Sequence, residues 1–315
     1  MPSELNIGTR GSQLALFQAN WVKDQLVQAH PDLHVTLIKI KTTGDKIQDA
    51  PLAKIGGKGL FVKEIEEALL QKRIDLAVHS VKDIPTEFPK GLYLSAITKR
   101  EDPRDVLISK DGKTLKDLPQ GAKIGTSSLR RQAQLLHFRS DVELIPLRGN
   151  LDTRLKKLKT MNLDAIILAF AGVKRLGFEE RITEIIPPEI SLPAIGQGAL
   201  GIETRTDDHT VENQIRCLND RDSSIAITAE RAFLKKLEGG CQVPIAAYAR
   251  VVETTLQIDG LVGTIDGKSL IRHHVEGPIE KAESLGVELA AILLGKGAEE
   301  ILDEVYQRSG PPIRI

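Results

Sequence analysis

The 315 residues are long for one core and point to two or three domains, and at 41% hydrophobic and 27% charged the composition is that of an ordinary globular protein. The 43 basic and 43 acidic side chains cancel and aromatics are only 3%, which excludes a global basic field or a stacking platform for nucleic acid. Two cysteines, Cys217 and Cys241, are too few for a disulfide scaffold and are expected as free thiols in a reducing cytosol.

The N-terminus lacks a basic region followed by an apolar run, so no secretory signal is expected. No stretch approaches the roughly eighteen uninterrupted apolar residues of a membrane span. A cytoplasmic protein without nucleic-acid or membrane partners is the expectation. Residues 5–8 read as a short buried strand. Ser12 suits the N-cap of a helix whose apolar face carries Leu14, Phe17, Trp21 and Leu26. Residues 35–40 are β-branched and strand-like. The stretch 42–59 is long, polar and glycine-rich, and reads either as an active-site lid or as a solvated loop. A helix with Phe61, Ile65, Leu69 and Leu70 follows, then a strand over 76–78. This is βαβ grammar, which predicts a mostly parallel sheet covered by helices.

The polar stretch 98–104, TKREDPR, reads as a crossover to a second domain. The pattern then restarts: a strand at 123–125, a helix from Ser127 or Ser128, a strand over 142–147, a helix over 151–158 and an apolar strand over 165–169. Pro187, Pro188 and Pro193 mark a second crossing. Beyond residue 222 a helix over 223–237 precedes alternating strands at 246–252, 256–262 and 270–275, and two helices close the chain. That third reads as a small α+β domain with an antiparallel sheet.

Basic residues gather at element ends: Arg10 after the first strand, Lys54 and Lys58 in the long loop, Lys82 after the strand near His79, Arg130 and Arg131 at a helix start. Arg148, Arg154, Lys174 and Arg175 continue the pattern. Ligands of open α/β sheets bind outside the carboxyl ends of strands, and the arginine fork suits carboxylates. Singly these are solvated charges; as a set they favour a polyanionic ligand. Gly125-Thr126-Ser127-Ser128 offers hydroxyls and N–H groups at a helix start, although an N-cap explains either serine. The glycines at 56, 57 and 59 lack Walker spacing. Asp83 in HSVKDIP could offset developing positive charge or move a proton, or it is a local ion pair or a turn residue before Pro85. His79 reads as a packed strand-end residue. Cys241 in EGGCQVP could be an exposed nucleophile or an inert thiol, and Cys217 belongs to the inert, packed class. No metal-ligand spacing appears.

Nine segments in order, GTRGSQLAL, GGKGLFVKEIE, DLAVHSVKDIP, REDPRD, IGTSSLRRQAQL, LRGNLDTRLKKL, DAIILAFAG, LPAIGQGALGIE and EGGCQVPI, resemble the porphobilinogen deaminase (hydroxymethylbilane synthase) family over nearly the whole chain. Gly11, Val81 and Ile84 depart from the family's usual residues, none at a charged or nucleophilic position. The resemblance implies an α/β fold of two type 2 periplasmic-binding-protein-like βαβ domains plus a small C-terminal α+β domain with an antiparallel sheet. Domain 1 would be residues 1–98 plus 196–218, domain 2 residues 99–195, and domain 3 residues 219–315. It further implies a dipyrromethane cofactor on Cys241 through a thioether, catalysis at Asp83, and no metal. Arg10, Ser12, Lys82, Thr126, Ser127, Ser128, Arg130, Arg131, Arg148, Gly149, Arg154, Arg175 and Gln197 would hold cofactor and substrate, with Lys54, Lys58 and Phe61 on the lid. A monomer condensing four porphobilinogen units, with release of ammonia, is the implied enzyme. A non-catalytic anionic solute-binding module is the alternative, and a cysteine-nucleophile acyl transferase a further rival.

Overall fold

A computed structural model describes residues 4–46, 61–237 and 243–309. They form two compact units. One holds the described residues up to 101 together with 199–224; the other holds 102–198 and those from 225 onward.

The chain opens with β1 (Glu4–Thr9), α1 (Gln13–Ala29), β2 (His34–Lys39), α2 (Thr43–Lys46), α3 (Lys63–Leu70), β3 (Leu76–Ser80) and β4 (Leu92–Ile97). It continues through β5 (Asp105–Ser109), β6 (Lys123–Gly125), α4 (Leu129–Phe138), β7 (Glu143–Ile145), α5 (Leu151–Thr160), β8 (Ala165–Ala169), α6 (Phe170–Arg175) and β9 (Glu184–Ile186). Then come β10 (Leu200–Arg205), α7 (His209–Ile215), α8 (Arg221–Lys236), β11 (Ile245–Val252), β12 (Thr255–Gly263), β13 (Leu270–Pro278), α9 (Ala282–Leu293) and α10 (Glu299–Ser309).

The first unit is built on a sheet of order β2-β1-β3-β10-β4, parallel except that β10 runs against both neighbours. The second unit repeats this plan as β7-β6-β8-β5-β9, with β5 reversed. In both, the reversed fourth strand follows a crossing of the chain, which is the type 2 periplasmic-binding-protein arrangement. A three-stranded antiparallel sheet, β11-β12-β13, completes the second unit with α8, α9 and α10 over one core containing Phe233 and Leu289. Gly286 of α9 lies where a Cβ would overlap the carbonyl oxygen of Ala229 in α8, so these helices meet backbone to backbone.

Both mixed sheets are covered on two faces, which is why β3 and β8 are apolar runs rather than alternating ones. Ser12 caps α1, accepting from the Ala15 N–H. The apolar stripe expected on α1 differs from the buried one. Gln18, Ala19, Val22 and Leu26 face the sheet, while Phe17 and Trp21 are 43% and 36% exposed. The helix docks through small Ala19, and the larger rings sit a third of a turn away. Leu70 is likewise exposed at the end of α3, and Phe61 precedes that helix rather than belonging to it. Sequence periodicity names no strand over 79–122, where β4 and β5 lie. No helix of the described residues is long and apolar enough to cross a membrane.

Candidate functional site

In the first unit β1 and β3 run parallel, so their carboxyl ends share one edge of the sheet. Arg10 follows β1. Its guanidinium donates to Asp45 (Nε to Oδ1, 3.2 Å) and lies 4.2 Å over the Phe61 ring. Burial would raise the Asp45 carboxyl, but Arg10 and the Thr42 donors outweigh it and hold it below the usual carboxylate range. Ser12 is occupied with its helix cap. Lys82 and Asp83 sit in a 3-10 turn, Val81–Asp83, directly after β3. That turn is pinned where the Val81 N–H donates to the Ala199 carbonyl at 3.1 Å. The Asp83 side chain is exposed and makes no hydrogen bond or ion pair among the described residues, so the local ion-pair reading does not hold there.

In the second unit the parallel strands β6, β7 and β8 lead to residues 126–128, to Arg148 and Gly149, and to α6 with Arg175. The hydroxyls serve the local backbone. Thr126 accepts from the Ser128 N–H at 3.2 Å, Ser127 accepts from the Leu147 N–H at 2.9 Å, and Ser128 caps α4. Gly149 has φ +107°, and a Cβ there would come within 2.7 Å of Thr153 Cγ2. Its carbonyl accepts from Arg154 Nε at 2.8 Å, and Arg175 Nη2 donates to the Gly198 carbonyl at 2.7 Å. The half-buried Arg148 side chain makes no hydrogen bond or ion pair among the described residues.

Arg130 and Arg131 are buried, and both donate to Asp105, at 2.8 and 2.7 Å. Gln197 Nε2 joins them at 2.9 Å. Burial alone would raise the Asp105 carboxyl, but the two guanidiniums hold it far below the ordinary range. Among the described residues two cations against one anion leave an excess positive charge, and Arg131 Nε is buried with no partner. Such a cluster suits a ligand rich in carboxylates, as dipyrromethane is. Asp105 closes the REDPRD segment, but sequence inspection gives it no role, since it directly follows the polar run 98–104 read as a crossover.

His79 is packed at its strand end, as read from the sequence, but the buried acids around it escape sequence inspection. His79 Nε2 lies 2.8 Å from Glu203 Oε2, and Glu66 of α3 is only 8% exposed. Burial, with Glu203 and Glu67 nearby, pushes the Glu66 carboxyl up to about 7 against a lowering by His79. Cys217 is exposed rather than packed, in the turn Arg216–Leu218 that buries Leu218, and its thiol donates to the Gln214 carbonyl at 3.4 Å. Cys241, Lys54 and Lys58 lie outside the described residues.

A family model described as "Porphobilinogen deaminase, dipyromethane cofactor binding domain" matches residues 5–213, and one described as "Porphobilinogen deaminase, C-terminal domain" matches 224–295. The chain belongs to the porphobilinogen deaminase family. Porphobilinogen deaminase of Geobacter metallireducens is 58% identical over 307 residues, covering 98% of this chain and 96% of its own. That of Citrifermentans bemidjiense is 59% identical over 305 residues, covering 97% and 96%. Among solved structures, the probable amino-acid ABC transporter extracellular-binding protein of Bacillus subtilis aligns over 68% of this chain and 88% of its own, at 14% identity and a TM-score of 0.42. Membership makes the chain a transferase of tetrapyrrole biosynthesis, a hydroxymethylbilane synthase that condenses porphobilinogen stepwise, rather than a solute-binding module. The family also implies the dipyrromethane cofactor.

Proposed function

We propose that Asp83 is the catalytic carboxylate of this condensation and that Cys241 anchors the cofactor by a thioether. The observation that supports the first role is an exposed carboxylate, without a partner among the described residues, in a pinned turn at the carboxyl end of a parallel strand. As porphobilinogen loses ammonia its methylene carbon becomes cationic. Asp83 offsets that charge, accepts from pyrrole N–H groups, and takes part in removing the proton lost when the new bond forms. The bound cofactor supplies the nucleophilic pyrrole carbon.

Arg130, Arg131, Arg148, Arg154 and Arg175 hold acetate and propionate groups in the second unit, and Arg10 and Lys82 hold them in the first. Ser12 adds a neutral donor in the first unit and Thr126 and Ser128 add them in the second, where Ser127, whose hydroxyl is bonded to the Leu147 backbone, Gly149 and Gln197 shape the edge. Lys54, Lys58 and Phe61 belong to a lid. The division into residues 1–98 plus 196–218, 99–195 and 219–315, a monomeric state and a cytoplasmic location complete the reading.

Intact mass before and after brief exposure to porphobilinogen tests it. The expected result is a polypeptide heavier by one dipyrromethane, then a ladder of added rings, with the mass increment mapping to the peptide containing Cys241. A bare polypeptide mass in active protein would refute the covalent anchor.

A further inference from the structure

Asp105 opens β5 and is wholly buried. Its two oxygens accept from Arg130 Nη1 at 2.8 Å, Arg131 Nη2 at 2.7 Å, Ser191 Oγ at 2.9 Å and Gln197 Nε2 at 2.9 Å. Two further bonds run to the backbone: Arg130 Nη1 also reaches the Leu192 carbonyl at 2.7 Å, and Arg131 Nη1 the Ile167 carbonyl at 2.9 Å. Gln197 also donates to the Pro103 carbonyl at 2.6 Å. One carboxylate therefore fixes the planes of two arginines and ties the segment before β5 to the segment that leads into β10. Only an ionised carboxylate can accept from so many donors, since an amide in its place offers one acceptor oxygen. Among the described residues the group still carries one positive charge too many, and Arg131 Nε is left without an acceptor. A ligand carboxylate would meet both needs.

We infer that Asp105 is a positioning residue for the condensation: it locks Arg130 and Arg131 in one geometry and leaves a single uncompensated charge for a ligand carboxylate. This rests on the proposal that these arginines hold acidic side groups. The competing role for Asp105 is charge neutralisation alone, which would let the unit fold without shaping the site.

Asp105→Asn removes the charge and half the acceptors, while Asp105→Glu keeps the charge and shifts the carboxylate by one methylene. Each variant is assayed for cofactor loading of the apoprotein by intact mass, for melting temperature, and for kcat and KM per loaded molecule. Positioning predicts that both variants load at least about tenfold more slowly and lose at least about tenfold in kcat, while KM moves by less than about threefold. If Asp105→Glu restores loading and kcat to within about twofold of the parent, the role is charge alone and the inference fails. It fails equally if Asp105→Asn loads and turns over normally at a lowered melting temperature. Should Asp105→Asn not fold, Asp105→Glu decides by the same criteria. Arg131→Leu separates the two levels: normal loading by that variant would sink the carboxylate reading itself, whereas slow loading beside unaffected Asp105 variants would sink only the inference.

Discussion

Replacing Glu66 by glutamine should make the protein more stable at pH 8 but not at pH 4.5. Glu66 is 8% exposed on α3, and the groups that face it are His79 of β3, Glu203 of β10 and its own neighbour Glu67. Burial and the two carboxylates raise it from an ordinary 4.5 to about 7, the His79 ring opposing them. In the unfolded chain Glu66 gives up its proton near the ordinary value, while the folded chain keeps it until about 7. The folded state therefore holds more protons across that window, and stability falls as pH rises through it. At about 1.4 kcal/mol per pH unit, the interval from 4.5 to about 7 amounts to about 3 kcal/mol, all of it absent below 4.5 and fully felt above 7. Glutamine resembles the protonated acid and carries no such penalty. Any packing change caused by the swap shifts both pH values alike, so the diagnostic quantity is how the difference between variant and parent changes with pH. Trp21, the chain's only tryptophan, lies in the same unit, and its fluorescence during urea unfolding reports the relevant transition. A gain that grows by about 2–3 kcal/mol between pH 4.5 and pH 8 is expected. A gain that is the same at both values would show that Glu66 is ionised in the folded protein and would overturn the account.

Asp83→Asn should lower turnover at least about a hundredfold yet leave the melting temperature nearly unchanged, because the side chain is exposed and unpartnered among the described residues. A matching loss of stability would instead mark it as a structural turn residue. Arg148→Leu should stall cofactor loading or the mass ladder without a cost in stability, since no ion pair among the described residues is lost; unchanged loading and an unchanged ladder would return Arg148 to the solvated charges. Gly149→Ala should cost about 1–3 kcal/mol through its positive φ and the overlap with Thr153, and adding Thr153→Ala should recover only part of that. Full recovery in the double variant would mean that the backbone angle carries no strain.

The alternation of strands and helices was legible because parallel strands buried on both faces are apolar runs, and because Ser12 and Ser128 mark helix starts. The placement of the arginines followed from the same pattern, since chain order in a parallel sheet brings the strands' carboxyl ends to one edge. The buried face of α1 was not legible: hydrophobicity points to Phe17 and Trp21, whereas docking distance selects Ala19 and leaves Gln18 inside, where it donates to Ser80. Local sequence is also silent on Asp105, whose partners lie 25, 26, 86 and 92 residues away, and on Glu203, which meets His79 across 124 residues.

These two acids share more than distance. Asp105 lies on β5 and Glu203 on β10, the strands that run against their neighbours in the two mixed sheets and that each follow a crossing of the chain. Such strands arrive from far along the sequence, with no short loop to set their register. A slip by one residue would turn every side chain to the opposite face and strand a carboxylate in a core without its partner. The apolar residues of β5 and β10 do not discriminate so sharply, since both faces of these sheets are buried and accept aliphatic side chains equally. The buried carboxylates thus penalise a wrong register more than the aliphatic residues do. In the second unit the same acid also gathers Arg130 and Arg131, so placing β5 and orienting those two guanidiniums go together.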